Sequence, residues 1–136
     1  TNNGLSVLNP ENNKIVTYDR KNNGLTNNTI CGIVPDEKGN FWISTYNGLS
    51  YFDKKTKQFH NFYQTDGLSH DEFNRFSYYR DVNGRFYFGG VNGLNIFKGN
   101  DLLVNEATPP VVFTKLVRFN NKLDSLITCH NCLNIN

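Results

Sequence analysis

Residues 36–53 read Asp36-Glu37-Lys38-Gly39-Asn40-Phe41-Trp42-Ile43-Ser44-Thr45-Tyr46-Asn47-Gly48-Leu49-Ser50-Tyr51-Phe52-Asp53. Gly39 can take the positive φ that closes a short hairpin, and an aromatic strand over 41–45 follows it. Asn47-Gly48 then predicts a tight turn centred on that pair, with a third strand over 50–53. Upstream, residues 29–35 carry Ile30, Gly32 and Val34 on one alternate set and Cys31 and Ile33 on the other. Both faces are small or apolar, as in a strand buried on both sides, so this is the innermost strand. Downstream, Lys54–Lys57 is a polar turn. Residues 58–63 alternate Phe59 and Asn61 against His60 and Phe62, as a half-exposed outer strand does.

The same order recurs. Asn3-Gly4-Leu5, Asn47-Gly48-Leu49 and Asn92-Gly93-Leu94 stand 44 and 45 residues apart. Asn23-Gly24-Leu25 and Asp66-Gly67-Leu68 lie 43 apart, and the Asp36 turn returns at Asp81-Val82-Asn83-Gly84-Arg85-Phe86-Tyr87-Phe88 after 45. Three markers in one phase define a structural repeat. Residues 73–80, 85–90 and 94–97 predict the first three strands of a further repeat, and residues 5–8 and 14–18 match the third and fourth strands of an earlier one. The fold class expected is all-β: a partial β-propeller of two to two and a half four-stranded antiparallel blades over residues 1–100, followed by a short β segment. No sustained 3.6-residue apolar period is present, so helices should be scarce.

Composition agrees. The chain has 136 residues, 14% of them aromatic and 19% charged, with a net charge of +2. The basic residues are scattered, which argues against a nucleic-acid partner. No apolar run approaches the roughly 20 residues of a membrane-spanning helix, so no direct membrane insertion is expected of this segment, and its polar start is not a signal peptide.

The pattern Asp36-x-x-Gly39-x-Phe41-Trp42-Ile43-Ser44-Thr45-x-x-Gly48-Leu49-x-x-Phe52-Asp53, then Phe59-x-x-Phe62, resembles the two-component regulator propeller repeat. That resemblance covers residues 3–98. It implies the periplasmic sensor region of Bacteroides-type hybrid two-component systems, whose seven-bladed propellers sense glycan breakdown products and signal to a cytoplasmic histidine kinase. Residues 97–116, including Pro109-Pro110-Val111-Val112-Phe113, resemble the exit from the last blade into the small β-sandwich called the Y_Y_Y domain. Residues 101–136 are therefore expected to form an exit segment and the start of that linker domain. The tail over 123–136 departs from the expected continuation, so the chain reads as a truncated fragment or as the product of a disrupted reading frame.

Propeller loops form two rims on a fixed frame, which suits recognition more than chemistry. The rim formed by the turns between second and third strands and by the inter-blade loop offers Tyr46, Asn47, Asp66, His70, Asp71 and Asn92. Tyr46 can stack on a sugar face, and the polar side chains can hydrogen-bond hydroxyls, although turn geometry alone accounts for Asn47 and Asn92. Trp42 and Tyr87 occupy equivalent strand positions and should pack between blades. Ser69-His70-Asp71 has the residue types of a catalytic triad, but sequence neighbours on an extended loop point apart. Asp36 and Asp81 are explained by turn formation rather than as paired acids. The expected role is non-enzymatic; a structural or protein-interaction fragment is the alternative, and a polysaccharide lyase or hydrolase a third. No cofactor and no metal are expected: Cys129-His130-Asn131-Cys132 lacks a second thiol pair to complete a structural zinc site. Exposed blade edges call for a partner, either the remainder of a sensor protein or further copies of this chain.

Overall fold

A computed structural model describes residues 2–103. In it the deciding stretch lies in a four-stranded antiparallel sheet in simple meander order: β3 (Ile30–Pro35), β4 (Phe41–Thr45), β5 (Leu49–Asp53) and β6 (Gln58–Phe62). Before it β1 (Leu5–Asn9) pairs with β2 (Lys14–Tyr18), and after it β7 (Phe73–Arg80), β8 (Arg85–Gly90) and β9 (Gly93–Lys98) make a three-stranded sheet. These are the partial, complete and third blades of the predicted repeat. Among the described residues, helical structure is confined to α1 (Arg20–Asn23), α2 (Gly99–Leu103) and a 3₁₀ turn at Gln64–Asp66. α1 was not foreseen. It is a single turn whose Asp19 cap accepts the Asn22 N–H at 2.7 Å. The exit after β9 begins as α2, and the expected Y_Y_Y strands, Cys129 and Cys132 lie outside the described residues.

The two faces of the central blade follow from alternation along β4. Ile43, opposite Ser50, turns toward the first blade and packs with Tyr18, Leu25, Ile30 and Phe52. Trp42, opposite Tyr51, turns toward the third blade. Its ring is fully buried and contacts Tyr51 and Phe62 of its own blade and Phe86 and Phe97 of the next, with centroids 4.8–5.8 Å apart. The innermost strands also meet, with Cys31 Sγ 3.1 Å from the Phe73 carbonyl oxygen. Burial pushes the Cys31 thiol pKa up, so the inert, protonated form dominates. Iodoacetamide at pH 8 should leave the Cys31 peptide unmodified in the native chain and label it in urea, as read by peptide mass spectrometry.

Tyr87 does not share the setting of Trp42. The inter-blade packing expected of it is not made among the described residues, because its side of the third blade faces away from the second. There it lies 5.9 Å from the Tyr79 ring and donates to Asp81 Oδ2. With Tyr79, Leu94 and Ile96, all exposed, it forms an apolar face. In the blade before, the residues 45 earlier (Val34, Trp42, Leu49 and Tyr51) are among those that bury the third blade.

One turn also differs from expectation. The β4–β5 hairpin is centred on Tyr46-Asn47, not Asn47-Gly48. Thr45 Oγ1 donates to the Gly48 carbonyl at 2.8 Å and accepts the Asn47 N–H at 3.1 Å, closing the turn one residue early. Gly48 follows at φ +102°, and its N–H goes to the Asp71 carbonyl at 2.7 Å.

At the other end of the blades, Asp36 accepts the N–H groups of Lys38 and Asn40, and Asp81 those of Asn83 and Arg85, all at 2.8–2.9 Å. Backbone donors hold the Asp81 and Asp53 carboxyls below their usual range, the Arg85 N–H leading for the first and that of Thr56 for the second. Folded pKa values below the unfolded value near 3.9 mean that this stabilisation is complete above roughly pH 4–5 and is lost as pH falls through the folded values. The urea midpoint should therefore hold from pH 7 to 5 and drop below about pH 4. Asp81→Asn should flatten that drop.

Candidate functional site

The rim is built by three segments that hold one another. The β4–β5 hairpin is tied to the inter-blade loop 63–72 through Gly48 and Asp71, and the β8–β9 hairpin to the same loop by the Val91 N–H donating to the Glu72 carbonyl at 3.1 Å. Asn95 Oδ1 accepts the Ser69 N–H at 2.8 Å, closing the loop onto β9. The candidate residues thus gather at one end of the second and third blades, where the repeat placed them.

Their side chains divide into two groups. Asp66 accepts the Tyr63 N–H at 2.8 Å and Asp71 the Gln64 N–H at 2.6 Å, so both carboxylates fasten the loop's own backbone. His70 Nδ1 accepts the Glu72 N–H at 3.0 Å, which leaves Nε2–H as its outward donor. Asn47 and Asn92 make no side-chain hydrogen bond among the described residues, and Asn92 is exposed. Tyr46 is 42% exposed, with the Arg75 guanidinium 5.5 Å from its ring centroid.

Arg75 was missed in the sequence. It sits in a wide bulge of β7, where Phe73 pairs with Gly90 but the next pairing is Tyr78 with Phe88. Within the bulge Phe76 takes φ +62° and is 87% exposed, while Arg75 reaches back to Asn2 Oδ1 at 2.9 Å. The signal was present: the Asp66 and Asp81 markers stand 15 residues apart, where Asn23 and Asp36 stand 13 apart. Those two extra residues are the bulge.

The hydrogen bonds of Ser69, His70 and Asp71 run to separate partners. Ser69 Oγ has none among the described residues, and His70 and Asp71 bind different loop amides. No hydrogen-bonded relay joins the three. Likewise, among the described residues no three His, Cys, Asp or Glu side chains come together in a metal-binding group. No helix there is long and apolar enough to cross a membrane.

Antiparallel blades stacked face to face, with turns and inter-blade loops collected on a shared rim, are the architecture of a β-propeller. Residues 24–47 match the family model of the two component regulator propeller. A histidine kinase of Formosa agariphila is 33% identical over 96 residues, 71% of this chain. The extracellular domain of a B. thetaiotaomicron protein described as a hybrid two-component system superposes with a TM-score of 0.75 at 28% identity over 93% of this chain. A second extracellular domain from that organism, described as a one-component system, gives 0.62 at 24% over 74% and supports the fold. The repeat in this chain is a two-component regulator propeller repeat. The chain spans 7% of the kinase and 18% and 14% of the two solved chains.

Proposed function

We propose that the chain contributes part of the ligand-sensing rim of a periplasmic two-component sensor, one that recognises glycan-derived oligosaccharides and signals to a histidine kinase. The observation that carries this reading is the superposition of 93% of the chain on an extracellular two-component sensor domain at a TM-score of 0.75. The rim supplies the chemistry. Arg75 holds the Tyr46 ring in place, a sugar ring stacks on the face that Arg75 leaves open, and Asn47, Asn92 and His70 Nε2–H meet hydroxyl groups. Asp66 and Asp71 keep the loop in shape. The role is recognition without catalysis.

Calorimetry of the full chain against a panel of neutral and acidic oligosaccharides tests the proposal. At least one should bind, and Tyr46→Ala should weaken it about tenfold, a loss of roughly 1.4 kcal/mol. Tyr46→Phe, which keeps the ring, should bind as the parent does. Absence of heat with every sugar sinks the reading.

A protein-interaction role is favoured by one separate observation, the apolar face of Tyr79, Tyr87, Leu94 and Ile96. Its occupant on this reading is another blade, from the rest of a sensor polypeptide or a second copy of the chain. Sedimentation over a hundredfold range of concentration should then show association that Ile96→Lys weakens. A monomer throughout counts against pairing between copies.

A further inference from the structure

We propose that the cleft between the second and third blades, on the rim opposite Tyr46, binds a small oxyanion, a carboxylate or sulfate group such as acidic saccharides carry. The cleft encloses 190 Å³ and is lined by residues that include Asp36, Tyr51, Arg80, Phe86, Lys98 and Gly99. A carboxylate or sulfate fits within that volume.

The first sign is an unused donor. Trp42 is fully buried, yet its Nε1–H has no acceptor among the described residues. The Nε1 end of the ring reaches the cleft wall at Gly99, where an added Cβ would lie 3.5 Å from Nε1 and 3.5 Å from Phe86 Cε2. The large majority of buried side-chain donors are satisfied, so one left open behind a glycine points to an acceptor brought from outside.

Arg80 gives the second. Its Nη2 pairs with Glu37 Oε1 across the two blades at 2.8 Å, and its Cζ lies 5.6 Å from the Phe86 centroid, which fixes the guanidinium plane. Its buried Nε–H remains without an acceptor. Two donors, from two blades, one lining the cleft and one just behind its Gly99 wall, therefore have no acceptor among the described residues.

The surrounding acceptors are spent. Asp36 takes the N–H groups of Lys38 and Asn40 on one oxygen and the Tyr51 hydroxyl on the other. Glu37 is matched by Arg80, and Asp101, beside Lys98, accepts that residue's N–H at 3.1 Å. Lys38 and Lys98 add positive charge at the mouth. A cleft with free donors and occupied carboxylates selects an acceptor-only anion over a cation or a neutral hydroxyl. The site is independent of the Tyr46 rim, so either can fail alone.

Trp42 is the only tryptophan, so the uniformly ¹⁵N-labelled full chain gives a single indole N–H resonance. That resonance should move downfield, saturably, on titration with sodium sulfate or sodium glucuronate, and stay in place with sodium chloride of equal ionic strength. Saturation by sulfate alone identifies an inorganic-anion site, and by glucuronate alone a sugar-acid site; both keep the assignment. Arg80→Gln should weaken binding at least about tenfold. Gly99→Ala, whose methyl makes only ordinary contact, should abolish the shift while leaving the melting temperature unchanged. An indole resonance that ignores both oxyanions, follows chloride equally, or responds undiminished in both variants overturns the proposal.

Discussion

Trp42→Ala is expected to destabilise the chain by about 3–5 kcal/mol, the cost of removing a large aromatic from a packed core. The magnitude follows from position. The ring touches Tyr51 and Phe62 on one side and Phe86 and Phe97 on the other, so its loss opens a cavity at the junction of two blades. Neither blade can close it alone, because each sheet is held rigid by its own ladder. A loss of this size is a large share of the 5–15 kcal/mol that keeps an ordinary domain folded. Urea denaturation followed by far-ultraviolet circular dichroism measures it. Trp42→Phe, which keeps part of the ring and removes the indole N–H, should cost less than half as much. Equal losses from the two substitutions would contradict a cavity mechanism.

Gly48→Ala is expected to cost roughly 2–4 kcal/mol, from backbone strain combined with a backbone collision. Gly48 sits at φ +102°, and a Cβ there would lie 2.9 Å from the Phe62 carbonyl oxygen and 2.9 Å from Tyr63 Cε1. The tyrosine ring can swing aside; the carbonyl belongs to β6 and cannot. Gly39 provides the comparison, with φ +79° and nothing within 4 Å of an added Cβ. Gly39→Ala should therefore cost only the left-handed penalty of about 1–2 kcal/mol. Chemical denaturation of the two variants separates strain from collision. Movement of Gly48 also pulls on Asp71 through the Gly48 N–H, so Gly48→Ala should weaken any ligand of the Tyr46 rim while Gly39→Ala leaves it intact.

The strands were legible because two periodicities coincide in this chain. The aromatic run over 41–45 marked β4 and, with it, Trp42 as an inter-blade residue, and the 45-residue recurrence of the Asp36 turn located β7, β8 and β9. Where the sequence reading departed from the fold, a side chain had intervened in the backbone. The hydroxyl of Thr45 shifted the centre of the hairpin from Asn47-Gly48 to Tyr46-Asn47, and the Asp19 carboxylate drew residues 20–23 into a helical turn. Neither event has a strong signature in hydrophobic pattern. The β7 bulge did leave one, as two extra residues between markers, but its consequence, Arg75 laid over Tyr46, depends on the three-dimensional path.

The rim was legible as a place and less so as a set of roles. Repeat phase brought Tyr46, Asn47, Asp66, His70, Asp71 and Asn92 to one end of the blades. It could not show that Asp66 and Asp71 spend their carboxylates on Tyr63 and Gln64, because capping of a loop by its own side chains is decided by dihedral angles. The opposite cleft was invisible for a related reason. Arg80, Gly99 and the edge of Trp42 come from β7, α2 and β4, and what marks them is the absence of an acceptor among the described residues, which no spacing encodes.

Every functional reading here depends on successive repeats stacking as blades, since only then do the hairpins and inter-blade loops form a common rim. Nuclear Overhauser contacts from the single tryptophan test that stacking directly. Cross-peaks from the Trp42 indole protons to the rings of both Phe86 and Phe97 are the predicted result. Cross-peaks to Tyr51 and Phe62 alone, within its own blade, would contradict it.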